Sequence, residues 1–327
     1  MNPNRAAMTR NAPEAGGMLI VAPTRWDEAC FAVPAVRAMV ASGVGVGVLC
    51  PAEQQDFWGT LPGLRVLVYT PKENAKGVAA GLAGQWQAAL MWEAGVAADA
   101  CARAKIPRRV GPEDKPLKRL LTHPVPPSLP GRPQEHRVRH YLALVESLGL
   151  ETGRAEFFAP VDLKVRPERG TVLVCPDSDF GRSHEWPLER WEEIARDLLA
   201  ADYRVTLAGV PGGVRLGHTL MTRLGAEIPY FEAHPFAAVL PLLAVHAVVL
   251  AADGSLPHLA AHVGATCVTL FGPNDPGWKR PLGKRHTVVR RHVECAPCFL
   301  TKCPFDGRCQ RELQALRVWN AVREKLG

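Results

Sequence analysis

The stretch AADGSLPHLAAHVGA, residues 251–265, sets polar side chains between an apolar strand and an apolar helix. Asp253, Gly254 and Ser255 form the turn, and His258 lies one turn into the helix. The first N–H groups of a helix have no partner within the helix, and that end carries a partial positive charge. Such a turn can bind a phosphate, to which Ser255 adds a hydroxyl and His258 a ring N–H. Asp and Ser are also common helix caps without any ligand, and this alternative stays open.

Two more polar loops follow the first strand of each half of the chain. Asp27, in PTRWDEACFAVPAVRA, comes directly after the strand MLIVAP. A carboxylate there can take a proton from a hydroxyl, or it can simply cap the helix. In the second half, the loop CPDSDFGRSHEWPLERW offers four polar side chains, Ser178, Arg182, Ser183 and His184. Asp177 and Asp179 of this loop form a D-x-D pair, which in one class of sugar transferases holds a divalent metal on a diphosphate.

Four of the nine cysteines lie close together in CAPCFLTKCPFDGRC with the spacing C-x2-C-x4-C-x5-C, namely Cys295, Cys298, Cys303 and Cys309. Four thiolates can hold zinc or an iron–sulfur cluster in a reducing compartment, where disulfides are disfavoured. The intervals differ from those of a common zinc ribbon, which pairs two short C-x-x-C units. Two interpretations stay open: a structural metal or cluster site, or reduced thiols that pack this loop against the second domain.

The composition is that of a globular protein rather than a disordered or membrane-spanning one. Hydrophobic residues make up 47% of the 327 positions, charged residues make up 22%, and the longest apolar runs have the length of a strand. The formal net charge of +7 comes from dispersed basic residues without a nucleic-acid motif, so we expect no nucleic-acid partner. The charge favours anionic ligands or surfaces, or it serves solubility alone. The run MLIVAP is too short for the core of a signal peptide, so we expect a cytoplasmic protein.

Strands alternate with helices in both halves, which predicts an α/β protein with parallel sheets and helices on both faces. Residues 112–135 are rich in proline and charge and are interpreted as loop, and residues 151–170 as an interdomain linker. We expect four parts: a disordered tail at 1–17, Rossmann-like domains at 18–160 and 170–310, and a C-terminal helix at 311–327. Ligands of such sheets lie beyond the carboxyl ends of the strands, where the polar loops are.

Taken together and in this order, the polar stretches resemble glycosyltransferase family 9, the ADP-heptose:lipopolysaccharide heptosyltransferases. DGSLPHLAA (253–261) is similar to the family's D-[ST]-G-x-x-H-[LI]-A-A signature, with glycine and serine exchanged. HEWPLERW (184–191) is similar to its K-x-W-P-x-E-x-[WF] run, with histidine in place of lysine. Three further matches support the resemblance, namely Trp26-Asp27 before PAVRA (34–38), FGPNDP (271–276), and the cysteine stretch.

The resemblance implies a GT-B fold, with two Rossmann-like domains facing a central cleft. The first domain would bind the acceptor and the second the nucleotide sugar. It implies an inverting, metal-independent transfer of a sugar, with heptose from ADP-heptose expected, to a lipopolysaccharide-core or other cell-envelope glycan. No cofactor is implied for catalysis. The basic surface would then help docking at the anionic inner face of the inner membrane.

The resemblance also implies roles for single residues. Asp27 corresponds to the general base, and the turn that binds the diphosphate corresponds to Asp253, Gly254, Ser255 and His258. Three further donor contacts are expected from the polar loop of the second domain, namely Ser178, Arg182 and His184. Arg182 could supply the positive charge that the family's lysine would carry. Three other functions stay open: a catalytically inactive nucleotide-sugar-binding protein, a nucleotide-sugar epimerase on the same fold, and a metal-carrying nucleic-acid binder.

Overall fold

The computed structural model describes residues 17–126, 135–210, 216–225, 227–232 and 239–327. The predicted disordered tail lies outside these ranges except for Gly17, and so does part of the predicted loop at 112–135. The chain divides into two compact units, residues 1–132 with 137–158 and residues 133–136 with 159–327. The predicted linker is divided between them, because residues 151–158 belong to the first unit and residues from Ala159 onward to the second.

The first unit contains a parallel six-stranded sheet in the order β3-β2-β1-β4-β5-β6. Its strands are β1 (Met18–Val21), β2 (Val46–Pro51), β3 (Leu64–Tyr69), β4 (Ala88–Met91), β5 (Arg108–Pro112) and β6 (His123–Val125). Its helices are α1 (Trp26–Val40), α2 (Gln55–Gly59), α3 (Ala75–Ala80), α4 (Val96–Arg103), α5 (Lys115–Lys118) and α6 (Val138–Glu146). β1 and β4 are buried along their whole length, as the apolar runs predict for strands covered on both faces.

The second unit repeats this plan, with a parallel sheet in the order β12-β11-β10-β7-β8-β9. Its strands are β7 (Glu168–Cys175), β8 (Arg204–Gly209), β9 (Tyr230–Glu232), β10 (His246–Ala252), β11 (Thr266–Phe271) and β12 (Thr287–Arg290). Its helices are α7 (Leu188–Ala200), α8 (Leu216–Leu224), α9 (Leu240–Val245), α10 (Ser255–His262), α11 (Pro276–Lys279), α12 (Arg308–Arg311) and α13 (Ala315–Leu326), with a short 3-10 helix at Arg182–His184.

Both sheets have the strand order 3-2-1-4-5-6 that is typical of a Rossmann fold, when strands are counted within each unit. In the first unit, β2 and β3 are added on one side of β1 and β4 to β6 on the other, so the strand order reverses between β1 and β4. In the second unit the same reversal lies between β7 and β10. Crevices at the carboxyl ends of such strand pairs are the usual ligand sites of open α/β sheets. The polar loop after β7 and the turn after β10 lie at this point of the second sheet.

Amphipathic helices close the core of the second unit against its sheet. Trp191, Ile194 and Leu198 lie on the buried face of α7, one turn apart from each other, as the helical period requires. Val318 and Val322 of α13 join the same apolar cluster. In the described ranges, no helix is both long enough and apolar enough to span a membrane.

The predicted α/β organisation is confirmed, but several short elements were missed and one helix was extended too far. The missed elements include α3 in the first unit, α5 and β6 in the proline-rich stretch, and α8, β9, α11 and β12 in the second unit. Proline is tolerated at the start of a helix and in an edge strand, which is where Pro116 and Pro124 lie. The expected C-terminal helix is interrupted before Ala315, where the Leu313 carbonyl accepts a hydrogen bond from Trp186 Nε1 at 3.0 Å.

Candidate active site

Asp253, the first residue after β10, anchors a buried polar cluster in the second unit. Its side chain is fully buried, and its Oδ2 atom accepts a hydrogen bond from Asn274 Nδ2 at 2.7 Å. The same oxygen lies 3.1 Å from Nδ1 of His184, which is also buried. Because a carboxylate can only accept, this contact requires the imidazole proton on Nδ1. Asp253 therefore joins the turn after β10, the segment after β11 and the loop after β7.

His184 points toward this cluster from the short 3-10 helix that ends the β7 loop. Its backbone carbonyl accepts from Gln310 Nε2 at 3.0 Å, and its ring packs edge-on against Phe180 with centroids 5.6 Å apart. We predicted His184 as a cation contact for the donor, and that role stays a prediction. What the structure adds is a fixed partner, since one of its two ring nitrogens is committed to Asp253.

The second carboxylate oxygen of Asp253 is an acceptor in need of a donor. Within the ranges that the structure describes, Oδ1 is buried and has no hydrogen-bond partner. A buried acceptor without a donor costs about 1–3 kcal/mol. A ligand hydroxyl that reached this oxygen would remove that cost.

The loop after β7 is tied to the turn after β10 by two side chains. Ser178 Oγ donates to the backbone carbonyl of Asp253 at 2.6 Å and accepts from the Phe180 amide at 3.1 Å. The carboxylate of Asp179 accepts from the amide of Ser255 at 2.8 Å and from its hydroxyl at 2.6 Å. The start of α10 is thus capped by a side chain that is 76 residues away in sequence.

The interpretation of Asp253 and Ser255 as caps of the following helix is wrong. The N-cap position of α10 is Gly254, and no side chain at that position caps the helix. Asp253 is engaged with Asn274 and His184, and Ser255 donates its hydroxyl to Asp179. A cap is present, but it comes from Asp179 of the neighbouring loop.

The D-x-D interpretation fails because its two carboxylates serve different helices. Asp177 is buried, and its carboxylate accepts hydrogen bonds from the Leu216 amide at 2.6 Å and from the Gly217 amide at 3.3 Å. Both amides belong to the first described turn of α8. Burial raises the pKa of the Asp177 carboxyl to about 6, and its backbone N–H donors lower it in part. Asp179 instead holds Ser255. Among the described residues, no group of three or more His, Cys, Asp or Glu side chains could hold a metal ion.

The other predicted donor contacts differ in exposure. Ser255 and His258 are buried in α10, whereas Arg182 is exposed at the start of the 3-10 helix. Sequence analysis missed a buried cation, Lys279, whose Nζ lies 5.3 Å from the ring centroids of both Phe180 and Trp278. It ends α11, three residues beyond the FGPNDP segment that signalled this region.

Asp27 lies in the first turn of α1, at the carboxyl end of β1, and is fully buried. Its carboxylate forms a two-pronged ion pair with Arg25, Nε to Oδ1 at 3.1 Å and Nη2 to Oδ2 at 3.2 Å. The Arg25 side chain is 56% exposed, so it can move without a large desolvation cost. Next to Asp27, Glu28 binds Arg137 at 2.9 Å and accepts from the Tyr141 hydroxyl at 2.6 Å.

The four clustered cysteines line one cavity as free thiols. Ser183 and Pro273 line the same cavity, so it adjoins the β7 loop and the segment after β11. Burial, with the three neighbouring thiols, raises the pKa of Cys309 to about 11. The described residues do not include these thiols in any metal-holding group, so the metal or cluster interpretation is without support. The alternative of thiols packing the loop against the second unit is consistent with their position.

The fold and the site together define a Rossmann-type α/β protein with a buried polar cluster at the carboxyl ends of β7 and β10 in its second unit. The chain belongs to glycosyltransferase family 9 (heptosyltransferase), whose sequence profile matches residues 135–308. This match includes the β7 loop, the turn after β10 and three of the four clustered cysteines, and it does not include Cys309 or Asp27.

Curated and solved relatives agree with this assignment. Lipopolysaccharide heptosyltransferase 2 of Escherichia coli (strain K12) is 30% identical over 129 residues, which are 38% of this chain and 37% of that protein. The aligned segment thus spans well under half of that relative. The structure of E. coli ADP-heptose lps heptosyltransferase II superposes with a TM-score of 0.74 at 19% identity, over 95% of this chain and 98% of the other. The structure of E. coli heptosyltransferase WaaC with ADP superposes with a TM-score of 0.73 at 18% identity, over 94% of this chain and 99% of the other. These likenesses confirm the predicted fold class, while the central cleft stays a prediction.

Proposed function

We propose that this protein is an inverting glycosyltransferase that moves a heptose from ADP-heptose to a lipopolysaccharide-core or related cell-envelope glycan. The observation that carries the proposal is the buried network at the carboxyl ends of β7 and β10, in a chain that belongs to family 9. The names of its relatives support heptose as the sugar, and the ADP in one of the similar structures supports an adenosine donor.

In this proposal the second unit binds the donor. The hydroxyl and amide of Ser255, at the start of α10, bind one phosphate, and His258 adds a ring nitrogen. Asp253 Oδ1 accepts from a donor hydroxyl, which gives this buried oxygen the partner it needs. Arg182 and Lys279 supply positive charge. Amides and cations of this kind can stabilise the leaving diphosphate without a metal, and no cofactor takes part.

The first unit supplies the base. The Asp27 carboxylate takes the proton of the acceptor hydroxyl while the hydroxyl oxygen attacks the anomeric carbon of the sugar. The bond from that carbon to the diphosphate oxygen breaks, the electron pair leaves with ADP, and the configuration at the anomeric carbon inverts. The Arg25 guanidinium, which pairs with Asp27 at 3.1 Å, favours the charged form of this carboxylate. Its exposed side chain can swing aside to let the acceptor reach the carboxylate.

The proposed acceptor also implies where in the cell the enzyme acts. A growing cell-envelope glycan carried on a lipid would bring the enzyme to the cytoplasmic, inner face of the inner membrane. The net charge of +7 supports peripheral contact with an anionic surface there. We expect binding to vesicles containing anionic lipid to weaken steeply as the salt concentration rises.

A thermal-shift panel of nucleoside diphosphates and nucleotide sugars tests the donor assignment. We expect ADP and ADP-heptose to raise the melting temperature, whereas UDP, GDP and their sugars leave it unchanged, because a ligand that binds only the folded state stabilises it. Stabilisation by uridine compounds alone would overturn the adenosine assignment. Two other functions are separated by turnover: an epimerase would convert the donor without any acceptor, and an inactive binding protein would bind donor but transfer nothing.

A further inference from the structure

Asp179 holds the two groups of Ser255 that a donor phosphate would use. We propose that Asp179 is a specificity-determining residue of the donor site: its carboxylate occupies the phosphate position at the start of α10, and a ligand phosphate must displace it. This inference rests on the proposed function, because it concerns the same donor site.

The contacts at this position are those of a bound anion. The two carboxylate oxygens accept separately from the Ser255 amide, at 2.8 Å, and from its hydroxyl, at 2.6 Å. An anion at a helix N-terminus is stabilised by the free N–H groups and the positive end of the helix dipole. A phosphate oxygen that bound the same amide and hydroxyl would need the same space. Asp179 and a ligand phosphate therefore compete for one site.

Burial shows that Asp179 can leave. Its loop neighbours Asp177, Ser178 and Phe180 are buried, whereas Asp179 is exposed. Its carboxylate can thus rotate into water at little desolvation cost, while Ser255 stays fixed in the core of the turn. Displacement breaks the hydrogen bonds from Ser255, which are stronger than neutral ones because the acceptor is charged.

The exchange of glycine and serine in the signature is explained by the same contact. A Cβ atom at Gly254 would lie 2.8 Å from Asp179 Oδ1 and 3.5 Å from Ser178 Oγ. The backbone at Gly254 is extended, so glycine is needed there for space rather than for an unusual dihedral angle. The family pattern has serine or threonine at this position. In this chain the position has no side chain, and the carboxylate of Asp179 fills the space.

Calorimetric titration of the full chain with ADP and with adenosine tests the proposal. Asp179→Asn and Asp179→Ser remove the charge, and Asp197→Asn removes an equal charge from the exposed face of α7 as a matched control. We expect both variants at position 179 to bind ADP at least about tenfold more tightly than the natural protein, because the phosphate no longer competes with a charge-assisted contact. Adenosine has no phosphate, so its affinity should change less than about twofold, and the Asp197→Asn variant should bind ADP as the natural protein does.

The outcomes separate the two proposals. ADP affinity that is unchanged or weaker in the folded Asp179 variants overturns the inference and leaves the donor assignment intact. An equal gain for adenosine also overturns it, because the effect would then not lie at the phosphate. Absence of ADP binding by the natural protein and by every folded variant overturns the donor assignment itself. Two substitutions at position 179 are used so that a folding defect in Asp179→Asn alone does not decide the test. Thermal unfolding of each variant checks that it is folded.

Discussion

Nδ1 of His184 lies 3.1 Å from Oδ2 of Asp253, and both side chains are buried. In the family pattern a lysine stands at the position of His184. A histidine here serves the turn after β10 directly, because it donates to the carboxylate that Asn274 also binds. In this chain the residue at this position is thus a partner of the buried acid.

His184→Ala should therefore destabilise the protein as well as weaken donor binding. The change leaves a buried carboxylate oxygen with one donor fewer, and we expect a loss of about 2 kcal/mol in the free energy of unfolding. His184→Asn keeps an N–H donor near the position of Nδ1 and should recover at least half of that loss. Urea denaturation of the two variants measures both values. Equal stability of His184→Ala and the natural protein would show that the contact between His184 and Asp253 does not stabilise the fold.

The ion pair between Arg25 and Asp27 predicts a pH effect on transfer. Arg25→Gln removes a positive charge that favours the ionised carboxylate, so Asp27 should take up its proton at a higher pH. We expect the acid limb of the kcat/KM profile to move to higher pH. The exposed Arg103→Gln on α4 is the matched control and should leave the profile unchanged. A profile that does not move in Arg25→Gln would argue against Asp27 as the titrating base.

The buried Asp177 predicts how stability depends on pH. Its folded-state pKa of about 6 lies above the ordinary value of 3.8, so the folded state binds the proton more tightly than the unfolded state does. The stabilising contribution of the protonated acid is fully present below pH 3.8 and is lost as the pH rises through 6. Acidification from pH 7.5 to 5 should therefore favour the natural protein over Asp177→Asn by about 1 kcal/mol. Urea denaturation of both proteins at the two pH values measures this difference, and a difference of the opposite sign would contradict the assignment.

Lys279 should contribute to donor affinity through charge. Its Nζ packs over Phe180, the neighbour of Asp179, so the cation lies beside the β7 loop that carries Asp179. We expect Lys279→Met to weaken ADP binding about tenfold and to leave adenosine binding within about twofold, with Lys279→Arg close to the natural protein. The exposed Lys284→Met is the control. Equal losses for ADP and adenosine would indicate a packing role only.

The fold followed from the sequence because its signals are local. Apolar runs such as MLIVAP and TCVTLFG are buried strands, and α7 shows its helical period in Trp191, Ile194 and Leu198. The turn at Asp253 and Ser255 was found for the same reason, since polar residues after a buried strand mark the edge where ligands bind. The short elements α5 and β6, each with a proline, gave no such signal.

The partners within the site could not be found in this way. Asp179 and Ser255 are 76 residues apart, and His184 and Asp253 are 69 apart. Nothing in the sequence around either residue of a pair indicates the other, because only the parallel pairing of β7 with β10 brings their loops together. Lys279 was missed because a single lysine in a loop is usually solvated, and only its position over two aromatic rings reveals that it is buried.

A transfer assay on Asp27→Asn tests the central claim most directly. ADP release is followed with ADP-heptose alone and with ADP-heptose plus a lipopolysaccharide-core acceptor, and donor affinity is measured by titration. We predict ADP release only when the acceptor is present, a fall in kcat of at least about 100-fold for Asp27→Asn with donor affinity nearly unchanged, and normal turnover for the exposed control Asp56→Asn. Natural turnover in Asp27→Asn would contradict the base assignment, and donor conversion without acceptor would contradict the proposed transfer itself.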